Sequence, residues 1–167
     1  METTPVAQDP APDAEIEPRW LDAEEQDAWR SVLYGVNVLL EEVGAALEQD
    51  PRFQLTLGEY EILVRLSEAP GHRLRMSDLA DEVVHSRSRL THTVSRLEKR
   101  GILRRVRCAA DGRGREALLT AEGMGLLQAA APHHVAAVRR SLVDRVGRED
   151  LLTLGRILQQ AQPAEPS

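Results

Sequence analysis

Aromatic side chains are scarce in this sequence: two Trp, two Tyr and one Phe among 167 residues. Trp20 and Trp29 therefore stand out, and packing in a core or between chains suits them better than a ligand pocket, because Trp fills interfaces well. A single cysteine excludes an intrachain disulfide and a cysteine-based zinc finger. No apolar run approaches the ~20 residues that span a bilayer, and the acidic N-terminus lacks a signal-peptide pattern. The expected location is soluble and cytoplasmic, in association with the nucleoid. Enzymatic constellations are missing as well. There is no glycine-rich phosphate loop, no pair of catalytic carboxylates and no nucleophile elbow, so the chain does not read as an enzyme. The histidines are scattered, and adjacent His133 and His134 point about 100° apart on a helix, poor geometry for sharing a metal. No cofactor or metal is expected.

What is present is an uneven distribution of charge. The net charge of -6 argues against a nucleic-acid partner when averaged over the chain. Between His72 and Arg115, however, 12 Arg or Lys stand against 5 Asp or Glu, and the acidic excess lies elsewhere. A basic module on an acidic body is an electrostatic footprint for DNA, since phosphate contacts act over a Debye length of about 8 Å.

That basic segment has a legible order. Ser77 is placed to cap a short helix carrying Leu79, Ala80, Val83 and Val84, and a second helix is expected from about Ser86 to Arg100, ended by Gly101. Leu90, Val94 and Leu97 form one inward stripe of the second helix. Its opposite face offers Ser88, Arg89, His92, Ser95, Arg96 and Lys99, groups that bond phosphate oxygens or base edges. After Gly101 the period becomes two, with Ile102, Arg104, Val106 and Cys108 on one side and Leu103, Arg105, Arg107 and Ala109 on the other. Asp111-Gly112-Arg113-Gly114 supplies a turn, and Arg115 to Leu119 returns as a strand. Asp111 is placed to brace Arg113 at the hairpin tip. Helix, turn, helix and basic hairpin is the layout of a winged helix-turn-helix, whose second helix enters the major groove. The expected DNA-contacting set is Ser77, Ser86, Arg87, Ser88, Arg89, Thr91, His92, Ser95, Arg96, Lys99, Arg105, Arg107, Arg113 and Arg115.

Three motifs in this order carry a family resemblance: Leu97-Glu98-Lys99-Arg100-Gly101 ending the helix, Asp111-Gly112-Arg113 in the wing, and Leu119-Thr120-Ala121-Glu122-Gly123 opening the next helix. Over about residues 20–160 the chain resembles the MarR family of bacterial regulators. The resemblance implies a homodimeric repressor of a palindromic operator, often released by a small, frequently aromatic anion. It places such an effector between dimer helices and winged module, with Trp20, Trp29, Tyr60, His72 and Arg73 as candidate lining residues.

The remaining segments fit a mainly α fold with a small β wing. Residues 1–18, proline-rich and acidic, read as a disordered tail, as do residues 161–167. Residues 19–160 form the domain, with the winged module at about 55–120 and dimerisation helices at about 20–49 and 121–160. The first is a long helix with a stripe of Val32, Val36, Leu39 or Leu40, Val43 and Leu47. Asp50-Pro51 breaks it, and Thr56 to Glu59 is a capping box for a helix running to about Ala69. Arg73 to Met76 is extended, available as a third strand. Thr120 caps a helix with a bend expected near Pro132 and an end at Gly147. A last helix opens at Glu149-Asp150, with Leu151, Leu154, Ile157 and Leu158 on one face. Two alternatives stand beside the repressor: a winged interaction module that does not bind DNA, and a redox-sensing regulator acting through Cys108, whose place in the wing strand otherwise suits a small half-buried apolar residue.

Overall fold

The computed structural model describes residues 18–83, 87–108 and 114–162, apart from the side chains of Glu82 and Arg87. Both tails, except for a residue or two, and also Ser86, Asp111 and Arg113, fall outside the described residues. The chain forms two units, Met1–Tyr34 and Gly35–Ser167.

The first unit holds the beginning of helix α1 (Ala23–Glu48). Asp22 starts it by a reciprocal pair of bonds: its carboxylate accepts from the Glu25 amide at 2.8 Å, and Glu25 Oε2 accepts from the Asp22 amide at 3.0 Å. Two orphan donors are thus satisfied, with anions at the positive end of the helix dipole. All described side chains of this unit are exposed, Trp20 and Trp29 included.

In the second unit α1 ends with Val43 and Leu47 buried. The expected break follows, where Asp50 accepts the Arg52 amide at 2.9 Å and the Arg52 guanidinium at 2.6 Å. These bonds from Arg52 hold the Asp50 carboxyl down at about 2. Helix α2 (Leu57–Glu68) carries the predicted capping box between Thr56 and Glu59. Its Ile62, Leu63 and Leu66 are fully buried and sit in one cluster with residues of all the neighbouring elements. A short turn, Pro70–His72, leads to strand β1 (Arg73–Arg75), then helix α3 (Met76–Glu82) and helix α4 (Arg87–Lys99).

Strands β2 (Leu103–Arg107) and β3 (Arg115–Leu119) make the hairpin. The sheet is antiparallel in the order β1-β3-β2, so the extended segment after α2 is the third strand of the wing, as its pattern allowed. Leu103 pairs with Leu119 at the root and Arg107 with Arg115 at the far end.

Helix α5 (Ala121–Val138) contains Pro132 without ending there. The expected irregularity falls later, in a π-type stretch at Arg139–Val143 followed by the short α6 (Asp144–Val146). Pro132 and the residue four before it, Gln128, are both exposed, so water can satisfy the carbonyl that proline leaves without a donor. Gly147, at φ 82°, separates α6 from helix α7 (Arg148–Gln160). Arg145 binds Glu42 at 3.2 Å, tying this end to α1. No helix among the described residues is long and apolar enough to cross a membrane.

His133 and His134 serve packing. His133 lies against Phe53 with ring centroids 5.1 Å apart, and His134 against Tyr60 at 4.3 Å. Burial pushes the His134 imidazole below its ordinary value of 6.5 and outweighs the opposing field of Glu61. Because the folded state disfavours the charged ring, its contribution to stability is complete above that value and is lost as the pH falls through the lowered one. Thermal melts should therefore show a midpoint that drops as the pH falls below the ordinary 6.5, and His134→Phe should flatten that slope.

Candidate nucleic-acid interface

Helix α4 is built as its spacing dictates. Leu90, Val94 and Leu97 are buried against the core. Its end is a Schellman turn: Gly101, at φ 74°, donates to Glu98 O at 3.0 Å, and Ile102 donates to Leu97 O at 3.1 Å. Glycine adopts that backbone without steric cost, and buried Ile102 supplies the accompanying apolar contact to Leu97. On the outer face Ser88, Arg89, His92 and Arg96 gather along one shallow cleft. Thr93 completes that cleft, its hydroxyl donating to Arg89 O at 3.0 Å. Thr91 and Lys99 are exposed and Ser95 half-buried. Arg87 contributes the first helical residue.

The reading of Ser77 as a cap is corrected. Helix α3 starts at Met76, and Arg75 occupies the capping position without a side-chain bond. Ser77 lies inside the first turn, its hydroxyl donating to Asp78 at 2.8 Å. Strand β1 delivers the chain in extended form up to Arg75, which leaves Ser77 two residues too far along to cap.

Arg96 of α4 and Arg100, just past the end of that helix, each bond a group of the protein itself. Arg96 Nε donates to Glu59 Oε1 at 2.7 Å, and Glu59 is 1% exposed. Arg100 donates to the carbonyls of Phe53 at 2.7 Å and Gln54 at 2.9 Å. The inward role of Arg100, the buried partner of Arg96 and the lining role of Thr93 were not legible in the sequence. Only the capping box, which marks Glu59 as an acceptor, hinted at any of them.

The wing has one face that changes character along its length. Leu103, Leu119 and Ala117 are buried at its root, and on the same face follow Arg105, then the opposed pair Arg107 and Arg115. Arg105 is pinned: Glu98 accepts its amide at 3.0 Å, its Nε at 2.9 Å and its Nη2 at 2.6 Å. Those bonds hold the Glu98 carboxyl below its usual range, with a lesser pull from Arg115. Arg107 and Arg115 are exposed. Like charges directly across a strand pair repel, so their closeness favours an anion between them.

Cys108 is buried beside the wing, its amide donating to Gly114 O at 3.0 Å. The candidate effector residues of the second unit do not lie together. Tyr60 stands in the first turn of α2 under His134, while His72 and Arg73 lie beyond the last turn of that helix. His72 bonds Ser67 O through Nδ1 at 3.0 Å, and Arg73 faces Glu116 at 3.9 Å. Trp20 and Trp29, 84% and 55% exposed, belong to the first unit. Among the described residues no group of three His, Cys, Asp or Glu could hold a metal ion.

Comparison with known proteins agrees with this geometry. The model of the MarR family matches residues 55–114, from the capping box into the wing turn. The transcriptional regulator HosA of Escherichia coli is 36% identical over 78 residues, 47% of this chain and 56% of HosA, so the match spans little more than half of that relative. Among solved structures, Sco3205 of Streptomyces coelicolor, a MarR family transcriptional regulator solved in complex with DNA, is 42% identical with a TM-score of 0.83, covering 90% of this chain and 96% of its own. AbsC, a MarR family regulator of the same organism, is 43% identical with a TM-score of 0.79, over 86% of this chain and 95% of its own. With that identity sustained over nearly the whole of both chains, this protein belongs to the MarR family of transcriptional regulators.

Proposed function

We infer that the protein binds double-stranded DNA as a homodimer, reading a palindromic operator with α4 in the major groove and clamping the backbone with the wing, and so represses transcription. The observation that carries this reading is the outer face of α4, where Ser88, Arg89, His92 and Arg96 share one cleft on a helix whose other face is core. The opposed, exposed Arg107 and Arg115 add positive charge on the wing. Sco3205, so similar throughout, was solved with DNA.

The dimer is supported by where apolar surface is left uncovered. Large exposed apolar residues among those described fall in two groups, Trp20 to Leu40 and Val135 to Leu158, outside the winged module. Apolar surface so confined is suited to a partner chain. Two α4 helices related by a two-fold axis then enter successive major grooves, about 10 base pairs apart. Release by a small aromatic or carboxylate effector is the finer part of the proposal. Such a ligand must bind the DNA-free arrangement more tightly than the bound one, since equal affinity shifts no population. Arg73 is the cationic group proposed for it, His72 a polar one, and Trp20, Trp29 and Tyr60 the aromatic ones; loss of operator binding across a panel of phenolic and carboxylate metabolites tests it.

Reader and clamp separate experimentally. Arg113→Ala should weaken operator and random duplex by similar factors and lower the logarithmic salt slope by about one. Arg89→Ala should cost operator affinity more than random-duplex affinity, by about 1–3 kcal/mol of discrimination if it contacts guanine. Binding isotherms on both duplexes across a salt series decide: the reverse pattern exchanges the two roles, and absence of duplex binding by the wild-type protein favours an interaction module.

A further inference from the structure

Glu59 is a carboxylate buried at 1% exposure, and both of its oxygens accept hydrogen bonds. Oε2 accepts from the Thr56 amide at 3.0 Å and the Thr56 hydroxyl at 3.3 Å, while Oε1 accepts Arg96 Nε at 2.7 Å. The capping box alone does not require a charge, because a neutral glutamine makes the same reciprocal bonds. A buried anion is tolerated only with a close, hydrogen-bonded cation, and here that cation stands on the outer face of α4.

Arg96 is held at one edge and open at the other. Its Nε is fixed on Glu59, yet its side chain is 56% exposed and lines the cleft with Ser88, Arg89 and His92. The planar guanidinium carries its other donors on the two Nη atoms, so fixing Nε orients the whole fork. One turn further, Arg100 binds the carbonyls of Phe53 and Gln54, which lock α4 against the same segment that carries Glu59.

We propose that Glu59 is a positioning residue for sequence reading: it presents the Arg96 fork to the major groove in a set orientation, exchanging some attraction for phosphate for discrimination between bases. The proposal rests on the reading of α4 as the recognition helix. It accounts for an anion placed beside a DNA-facing surface, where an isolated negative charge would only repel the duplex. An arginine fixed before binding loses less side-chain freedom on docking and rejects a mismatched base more strongly.

The test uses the full chain, the tightest duplex that the wild-type protein recovers from a randomised pool, and a random-sequence duplex of equal length. Glu59→Gln keeps the capping box and removes the charge. Its ratio of selected-duplex to random-duplex affinity should fall about tenfold, while random-duplex binding tightens because one anion near phosphate is gone. In an Arg96→Ala background the same substitution should change the ratio by less than about twofold, since coupled residues are non-additive. An unchanged ratio in Glu59→Gln, or an equal tenfold fall without Arg96, overturns the proposal. Independently of DNA, the Nε–H resonance of Arg96 in the free wild-type protein should exchange slowly with solvent. Rapid exchange there shows that Glu59 does not hold it, whether or not the variant folds. A wild-type protein with no preference among duplexes instead overturns the DNA reading, and leaves the resonance to decide the pinning.

Discussion

Gly123→Ala should destabilise the protein by about 3 kcal/mol, although alanine is the better helix former by about 1 kcal/mol. A Cβ at Gly123 collides with the carbonyl oxygen of Ile102 and comes within 2.7 Å of Leu119 Cδ1. The Ile102 carbonyl has no rotamer to escape into. It is fixed by the Thr120 amide at 3.2 Å and the Thr120 hydroxyl at 2.9 Å, and that hydroxyl also accepts the Gly123 amide at 3.0 Å. The glycine thus lets α5 begin directly on the joint between α4 and the wing. Displacing it moves α4 and the wing, the two elements proposed to face DNA, so affinity should fall with stability. At about 2–4 °C per kcal/mol for a chain of this size, the melting midpoint should drop roughly 6–12 °C. Gly125→Ala is the control: nothing lies within 4 Å of its added Cβ, and the variant should match or exceed the wild type.

Ile157→Glu should leave each chain folded yet abolish tight operator binding. Ile157 is 54% exposed on α7 and outside the buried cluster, so within one chain the substitution removes little packing. At a chain-to-chain interface it introduces a charge with no partner, which costs several kcal/mol. A monomer retains one recognition helix and loses the second, tethered binding event, a reduction of roughly a hundred- to ten-thousand-fold. Sedimentation should show the variant at half the wild-type mass, with a footprint on a half-site at best. A variant that stays dimeric and binds normally would place the interface elsewhere.

Much of the fold is legible because local chemistry decides it. The Thr56–Glu59 capping box, the glycine that closes α4, the apolar stripe of α4 and the alternation of the wing strands each depend on residues a few positions apart. These patterns appear in the structure with shifts of one or two residues. Ser77 failed as a cap because its position was settled from outside, by β1 pairing with β3 up to Arg75. Arg96 and Arg100 look alike on a helical wheel, on the polar side of α4 and of its continuation past Lys99. Their partners lie 37 to 47 positions earlier in the chain, and no period in the sequence reports such a contact. The exposed apolar faces of α1 and α7 are visible in the sequence as stripes; the second chain proposed to cover them is beyond the reach of one chain's periodicity.

The central claim, that the outer face of α4 and the wing bind duplex DNA, is tested most directly by measuring wild-type affinity for a selected duplex and a random one across a salt series. Both affinities should fall linearly on logarithmic axes, with a slope reporting several displaced counterions, and the selected duplex should keep its advantage at every salt concentration. Affinities that are equal for the two duplexes at all salt concentrations, or too weak to measure at low salt, would contradict it.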